Sequence, residues 1–366
     1  VVGAGIAGAS AGDALARAGL SVAVLEAEDR PGRHATGRSA AHHIPSYGPP
    51  PVQALTAAAT ATLAEPPGEL VTGPLLRPRP VLSVAAPGGE AALAAARTAA
   101  ERAGTPLADL DPSEAVALFP ALRPELVAAA TLDARAADLD VDALHQLHLR
   151  RLRRAGGTVV PGARVTAIAR AGSGWAVTTG GGTGGTVRAG LVVDAAGAWG
   201  DQVAALAGVE PVGLAPLRRT AFLVAAPPGS AGWPLAADAA EAWYAKPDAG
   251  RMLCSPADET PAPPGDARPD EVDVARALDV LRERTTLATR SVARAWAGLR
   301  TFAPDRVPVV GRDPEHPGFV WCVGQGGYGV QTAPAVGDLV AALVTGAPPP
   351  VAADVVAALD PARLRR

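Results

Sequence analysis

The chain has 366 residues, of which 33 are basic and 36 acidic, for a formal net charge of −3. That length predicts two domains around a sizeable core, and the near-neutral balance gives no reason to expect nucleic acid or an anionic membrane as partner. The two cysteines, Cys254 and Cys322, are far apart and lack metal-ligand spacing, which predicts no metal site and suits a reducing, cytoplasmic compartment.

Val1 and Val2 read as the tail of a strand, and Gly3, Gly5 and Gly8 follow at once. Gly3 permits a tight turn, Gly5 lets backbone approach a pyrophosphate, and Gly8 lets helix and strand pack closely. The chain starts inside this strand without methionine, so a few further residues are expected ahead of Val1, and no basic leader suggests a signal peptide. A helix is predicted through Ala9, Ala14 and Leu15 to Gly19, its N-terminal N–H groups and dipole suited to phosphate. Residues 21–25 alternate as a second strand that ends in Glu26. A carboxylate there accepts hydrogen bonds from ribose hydroxyls and repels a 2′-phosphate, which argues against NADP.

Residues 30–48 are too polar and irregular for a core element. Their small residues, the Thr36 and Ser39 hydroxyls and the Arg38 charge suit a loop crossing a pyrophosphate and a flavin edge. Helices are predicted at 52–64, 91–103, 112–119 and 142–155, with Asp140 and Asp142 as helix-start acids. Residues 75–84 read as one strand. Residues 158–168 read as strand structure broken by Pro161 and Gly162, and 176–187 as a hairpin with a glycine-rich tip at 180–185. A buried strand at 191–193 ends in Asp194, Ala195, Ala196 and Gly197, small residues where backbone must pass close to a cofactor.

Short β-like runs at 220–225, 242–245 and 252–255 are separated by Pro- and Gly-rich turns, and an acidic helix at 270–284 follows. This section reads as an antiparallel sheet. A last strand at 319–323 enters a second glycine-rich segment, Gly324 to Gln331, and a closing helix is predicted at 334–344. Two glycine segments at opposite ends of the chain predict a cofactor long enough to be held at both ends, which points to FAD. No run reaches the ~18 apolar residues of a membrane helix.

Gly3, Gly5, Gly8 and Glu26, the His34 to His42 loop, Tyr47, Asp194 to Trp199, Trp243 to Pro247, Trp296 to Phe302 and Gln325 to Gln331 together resemble the D-amino-acid oxidase superfamily of FAD enzymes. The match is collinear over nearly the whole chain, and it is closer to D-arginine dehydrogenase and its bacterial relatives. The resemblance implies an α/β fold with a Rossmann-type, glutathione-reductase-like FAD-binding domain from residues 1–75, 136–210 and 296–366. An antiparallel-sheet substrate domain, 76–135 and 211–295, is inserted into it. It implies non-covalent FAD at Gly3, Gly5, Ala7, Gly8, Glu26 and Ala27, and along the loop formed by Ala35, Thr36, Gly37, Arg38, Ser39, Ala40, Ala41 and His42. Further contacts are implied at Val165, Ala196 and Gly197, and along Gly326, Gly327, Tyr328, Gly329, Val330 and Gln331. A glycine loop opening a helix also offers N–H donors to the negative charge of a reduced flavin.

The implied substrate groups follow the same resemblance. Arg300 matches a carboxylate-binding arginine, Tyr244 its hydroxyl partner, and Arg219 a further active-site arginine. His42 and Tyr47 match residues beside the amino group and Cα, and Gly327 would offer its carbonyl to the amine. Arginine is the best fixed, bidentate carboxylate donor. The implied reaction is oxidation of a D-amino acid to an imino acid, hydrolysed to a 2-oxo acid and ammonia, with His42 or water taking the amine proton. Electrons then pass to an acceptor, whether oxygen, a quinone or a protein. Where D-arginine dehydrogenase carries a glutamate that reaches the guanidinium, this chain has Val81, and Ile44 replaces a polar residue nearby. A buried cation without a counter-charge costs several kcal/mol, so neutral, apolar D-amino acids are expected over D-arginine. Secondary amines such as sarcosine or proline, 2-hydroxy acids, and a flavin subunit of a hetero-oligomeric dehydrogenase stay open as alternatives.

Overall fold

The computed structural model describes residues 1–181, 184–287 and 289–365. Its nucleotide-side sheet has Val2 at the centre, bridged in parallel to Leu25 on one side and to Asp194 on the other. Ala23–Leu25 pairs outward with Thr158–Val160, Val192–Asp194 pairs with Phe319–Val323, and Val309–Arg312 closes the far edge in antiparallel sense. This is the mostly parallel sheet that the opening strand, turn and helix predict. The helix Ile6–Arg17 packs between Gly329–Thr345 and Val141–Arg154.

Close packing here depends on one missing side chain. A Cβ at Gly8 would lie 1.9 Å from the Gly3 carbonyl oxygen, so only glycine brings the helix this close to the strand it follows. A second device was not legible in the sequence. Asp13, buried on this helix, meets His148 Nδ1 at 2.8 Å, Arg17 Nε at 3.0 Å and Arg151 Nε at 3.4 Å, tying it to the helix Val141–Arg154.

The large sheet runs in the order Thr260–Pro261, Ala215–Ala225, Arg251–Ser255, Tyr244–Asp248, Leu235–Asp238, Val81–Ala85, Ala129–Asp133, Ala108–Leu110. It is antiparallel except where Leu235–Asp238 runs parallel to Val81–Ala85, a departure from the purely antiparallel sheet expected. Arg294–Phe302 pairs with residues 215–223 along its whole length. That strand straddles the expected boundary at 296 and is hydrogen-bonded into the large sheet.

The predicted strand at 75–84 is two strands in two sheets. Leu76–Pro78 joins a small sheet with His42–His43 and Ala137–Leu139, and Val81–Ala85 enters the large one. Pro78 and Pro80 supply no N–H to a ladder, and the chain changes sheets between them. The closing helix begins at Gly329, with Pro334 inside it. Its first turn is polar and glycine-bearing, so apolar periodicity alone missed it. The hairpin is formed by Gly174–Gly180 and Gly185–Ala189; residues 182 and 183 of its expected tip lie outside the described residues. Among the described residues no helix is long and apolar enough to cross a membrane, and no His, Cys, Asp or Glu group could hold a metal.

Candidate active site

A cavity of about 380 Å³ lies along the C-terminal edge of the nucleotide-side sheet. It reaches from Glu26, Ala27 and Val165 at one end to Thr301 and Gly326 at the other, passing Gly3, Gly5, Ala7, Ala196 and Gly197. The loop bearing Ala35, Thr36 and Arg38 covers it. Its walls are mostly apolar, and the first turn of the helix Ile6–Arg17 opens onto it, the arrangement a pyrophosphate requires. These residues fit FAD.

Several expected cofactor residues also hold the cavity together. The two Glu26 carboxylate oxygens accept from the N–H groups of Ala4 (2.8 Å) and Glu28 (2.9 Å). Thr36 Oγ1 accepts from Ile6 N–H at 2.9 Å, fastening the covering loop to the glycine turn. Arg38 donates to the carbonyls of Ala267 (2.7 Å) and Ala297 (3.0 Å) and pairs with Asp266. Its charge thus joins the loop to the substrate side while the side chain also lines the cavity. Ser39 Oγ accepts from Ala41 N–H.

Gly37 packs against the Gly32 carbonyl. The Gln331 side chain is buried and bonded to Ile44 and to Thr56 Oγ1, and so is a brace between loop and helix. Gly8, Gly37, Ser39 to His42 and Gly327 to Gln331 do not line this cavity. Trp199, packed on His34 at 4.8 Å, and Gln202 do line it; sequence reasoning did not single them out as contacts.

Beyond Gly326 the surroundings change from backbone to charge. The side chain of Arg300, half-buried on Arg294–Phe302, makes one hydrogen bond among the described residues, donating from Nη1 to Tyr47 Oη at 3.3 Å. Among the described residues no carboxylate pairs with it. A Cβ at Gly327 would stand 2.7 Å from Arg300 Nη1, so the guanidinium lies directly against that backbone. Burial opposes the Arg300 charge, but the hydroxyl groups of Tyr47 and Tyr244 nearby hold its pKa above the usual arginine value.

Arg219 is buried beside it. Its Nε donates to the Asp258 carbonyl at 2.8 Å and its Nη2 to Glu259 Oε1 at 3.1 Å. Burial and then the Arg300 charge lower its pKa. Arg306 also donates to Glu259, at 2.8 Å, and lies over the Phe302 ring at 3.9 Å. Tyr328, expected at the cofactor, packs on Tyr47 at 5.1 Å and on Phe302 at 6.4 Å, and burial pushes its hydroxyl up to about 12.

Val81 is buried with Ala136 and Leu235, and Ile44, Ala237 and Tyr244 pack against them. The space beside Tyr244 is thus apolar. His42 is placed otherwise than a free base would be. Its Nε2 lies 2.9 Å from the Arg79 carbonyl and must carry the proton there, since that oxygen only accepts. Its Nδ1 lies 3.2 Å from Asp138 Oδ1, and burial lowers its pKa. Lys246, also buried, donates to Asp138 at 2.6 Å and to the Ala41 carbonyl at 3.4 Å, while Arg79 Nε pairs with the same carboxylate. Burial works against the Asp138 charge, yet His42, Lys246 and Arg79 hold it well below the usual carboxylate range. One acid thereby joins the covering loop, the small sheet and the substrate sheet. Both cysteine thiols are buried, and burial pushes Cys322 up to about 12.

A cavity of dinucleotide kind on a mixed α/β scaffold, beside an arginine-bearing, mostly antiparallel sheet, is the arrangement of a flavin oxidoreductase. The chain matches the DAO family, FAD dependent oxidoreductase, over residues 1–343 and belongs to it; FAD is its cofactor. It is 34% identical over 175 residues to FAD-dependent oxidoreductase domain-containing protein 1 of Bos taurus, a match spanning 43% of this chain and 36% of that protein. Among solved structures it is similar to L-proline dehydrogenase from P. horikoshii, with a TM-score of 0.85 and 21% identity over 100% of this chain and 96% of that one. Glycine oxidase from Geobacillus kaustophilus superposes with a TM-score of 0.82 and 24% identity, covering 98% of this chain and 96% of the other.

Proposed function

We propose that this protein oxidises the α-amine of a carboxylate-bearing substrate, and that its preferred substrates are D-amino acids with neutral, apolar side chains. The observation that carries the reading is the unpaired Arg300: a half-buried guanidinium with one bond, to Tyr47, and its remaining donors unmatched. A carboxylate supplies the bidentate partner this geometry lacks. Tyr47 fixes the guanidinium plane, and Tyr244 stands on the side-chain side of the site. The D configuration rests on the likeness of the Tyr244 and Arg300 motifs to D-arginine dehydrogenase. The names of the similar structures, which act on proline and on glycine, support an amine substrate.

FAD, when bound, supplies the two-electron acceptor. The residues around it hold the substrate so that its Cα faces the cavity, and positioning of this kind accounts for much of a rate enhancement. The amine must be neutral before it is oxidised. With both His42 nitrogens turned to Arg79 and Asp138, water is the better acceptor for that proton, and His42 serves to position the loop. Val81, Leu235 and Ile44 favour an apolar side chain beside Tyr244.

The test is anaerobic bleaching of the flavin by paired D- and L-amino acids, with sarcosine, proline and a hydroxy acid alongside. Bleaching by neutral D-enantiomers supports the reading. Faster reduction by L-proline or sarcosine overturns the substrate class, and a flavin that none of them reduces favours an electron-relay subunit. Val81→Glu should raise the rate with D-arginine relative to D-leucine; no relative gain means that Val81 does not line the side-chain pocket.

A further inference from the structure

The charges around Arg300 do not balance. Arg219, Arg300 and Arg306 stand together, and Glu259 is the one side-chain carboxylate that contacts Arg219 among the described residues. Asp258 is nearby, but its two oxygens accept from the Thr220 N–H (2.6 Å) and hydroxyl (2.9 Å), so only its carbonyl faces Arg219. Glu241 makes no ion pair with any of the three arginines; its field is felt at Arg300 and Arg306. Glu259 is shared between Arg219 and the more exposed Arg306. One carboxylate therefore serves two guanidiniums, and Arg300 has none.

We infer that Glu259 determines specificity: by occupying Arg219 it limits the site to substrates with a single carboxylate, and neutralising it opens Arg219 to a second one. This rests on the reading that Arg300 binds the substrate carboxylate. The orientation of Arg219 does not depend on Glu259 alone, because its Nε also donates to the Asp258 backbone carbonyl. A buried guanidinium that has lost its acid is costly, and the nearest remedy is a carboxylate on the ligand. Dicarboxylic amines, such as the acidic amino acids, are the substrate class that Glu259 excludes.

The experiment uses the FAD-loaded enzyme and inert acids, propionate and succinate, with binding read from perturbation of the flavin spectrum. In Glu259→Gln, succinate should bind about tenfold tighter than in the parent while propionate changes little, one charge-assisted pair being gained. Adding Arg219→Met to Glu259→Gln should abolish that gain. Arg306→Gln leaves Glu259 wholly to Arg219, should weaken succinate further, and carries the test if Glu259→Gln holds too little flavin. If propionate binding depends on Arg300 but succinate is unmoved in these variants, the role of Glu259 is overturned and the carboxylate site stands. If Arg300→Met leaves propionate binding unchanged, the carboxylate site itself fails, and this inference with it.

Discussion

The cofactor cavity and the arginine-bearing site meet at Gly326 but are built in opposite ways. The cavity is made of backbone and small residues: a glycine turn, a helix end, and strands that stop in alanine and glycine. The neighbouring site is made of long side chains, Arg219, Arg300, Arg306, Glu259 and Tyr47, contributed by strands and loops far apart in the chain. A backbone site tolerates many sequences but no added bulk. A side-chain site tolerates small shifts in backbone, but each charge in it depends on its neighbours.

The sharpest way to break this contrast is bulk between the glycine turn and its helix, behind the cavity wall. Gly8→Val would force a side chain where even a Cβ would stand 1.9 Å from the Gly3 carbonyl oxygen. We expect protein purified without FAD, checked by its visible spectrum; a full flavin complement would show that helix and strand need not approach so closely. Next in size is loss of charge. Arg300→Met should keep its flavin and lose about 10²–10³-fold in kcat/KM, equivalent to about 3–4 kcal/mol. A loss of FAD in that variant would mean the two regions are not separable.

A smaller effect is expected for Tyr47→Phe, which removes the one hydrogen bond to Arg300. We expect about a tenfold fall in kcat/KM, near the value of a hydrogen bond to a charged group. The last test reads stability and not rate, and concerns Asp194, fully buried at the end of Val192–Asp194, its carboxyl pushed well above the usual range by burial. A folded-state pKa raised in this way means the folded form prefers the protonated acid. Stability should therefore fall as pH rises from the ordinary aspartate range through the raised value. Asp194→Asn should flatten that decline by about 1 kcal/mol or more per pKa unit of the shift. Thermal melts from pH 4 to 8 measure it, and an unchanged pH slope would refute it.

The same contrast explains what was legible beforehand. Gly3, Gly5, Gly8 and Glu26 carry their meaning in local spacing, and the helix Val141–Arg154 shows its apolar face at helical period with Asp140 as cap. The two proline-separated strands of 76–85 looked continuous because composition does not say which sheet a strand joins. The bracing partners of Arg38 and Gln331, Ala297 and Thr56, gave no signal in sequence because they lie hundreds of residues away. Glu259 gave no signal, because its importance arises only when residues 219, 259 and 306 are brought together.

The order of strands around Val2 also bears on how the molecule is made. Its nucleotide-side sheet draws on residues near 2, 25, 159, 193, 310 and 320, so the sheet cannot close until residues beyond 320 have left the ribosome. Such long-range pairing folds slowly and leaves strand edges open in the meantime. The cavity is finished only when Thr301 and Gly326 arrive. Cofactor capture thus waits for residues as late as Gly326, and FAD supply would govern yield by trapping a late-formed state and not by guiding early collapse.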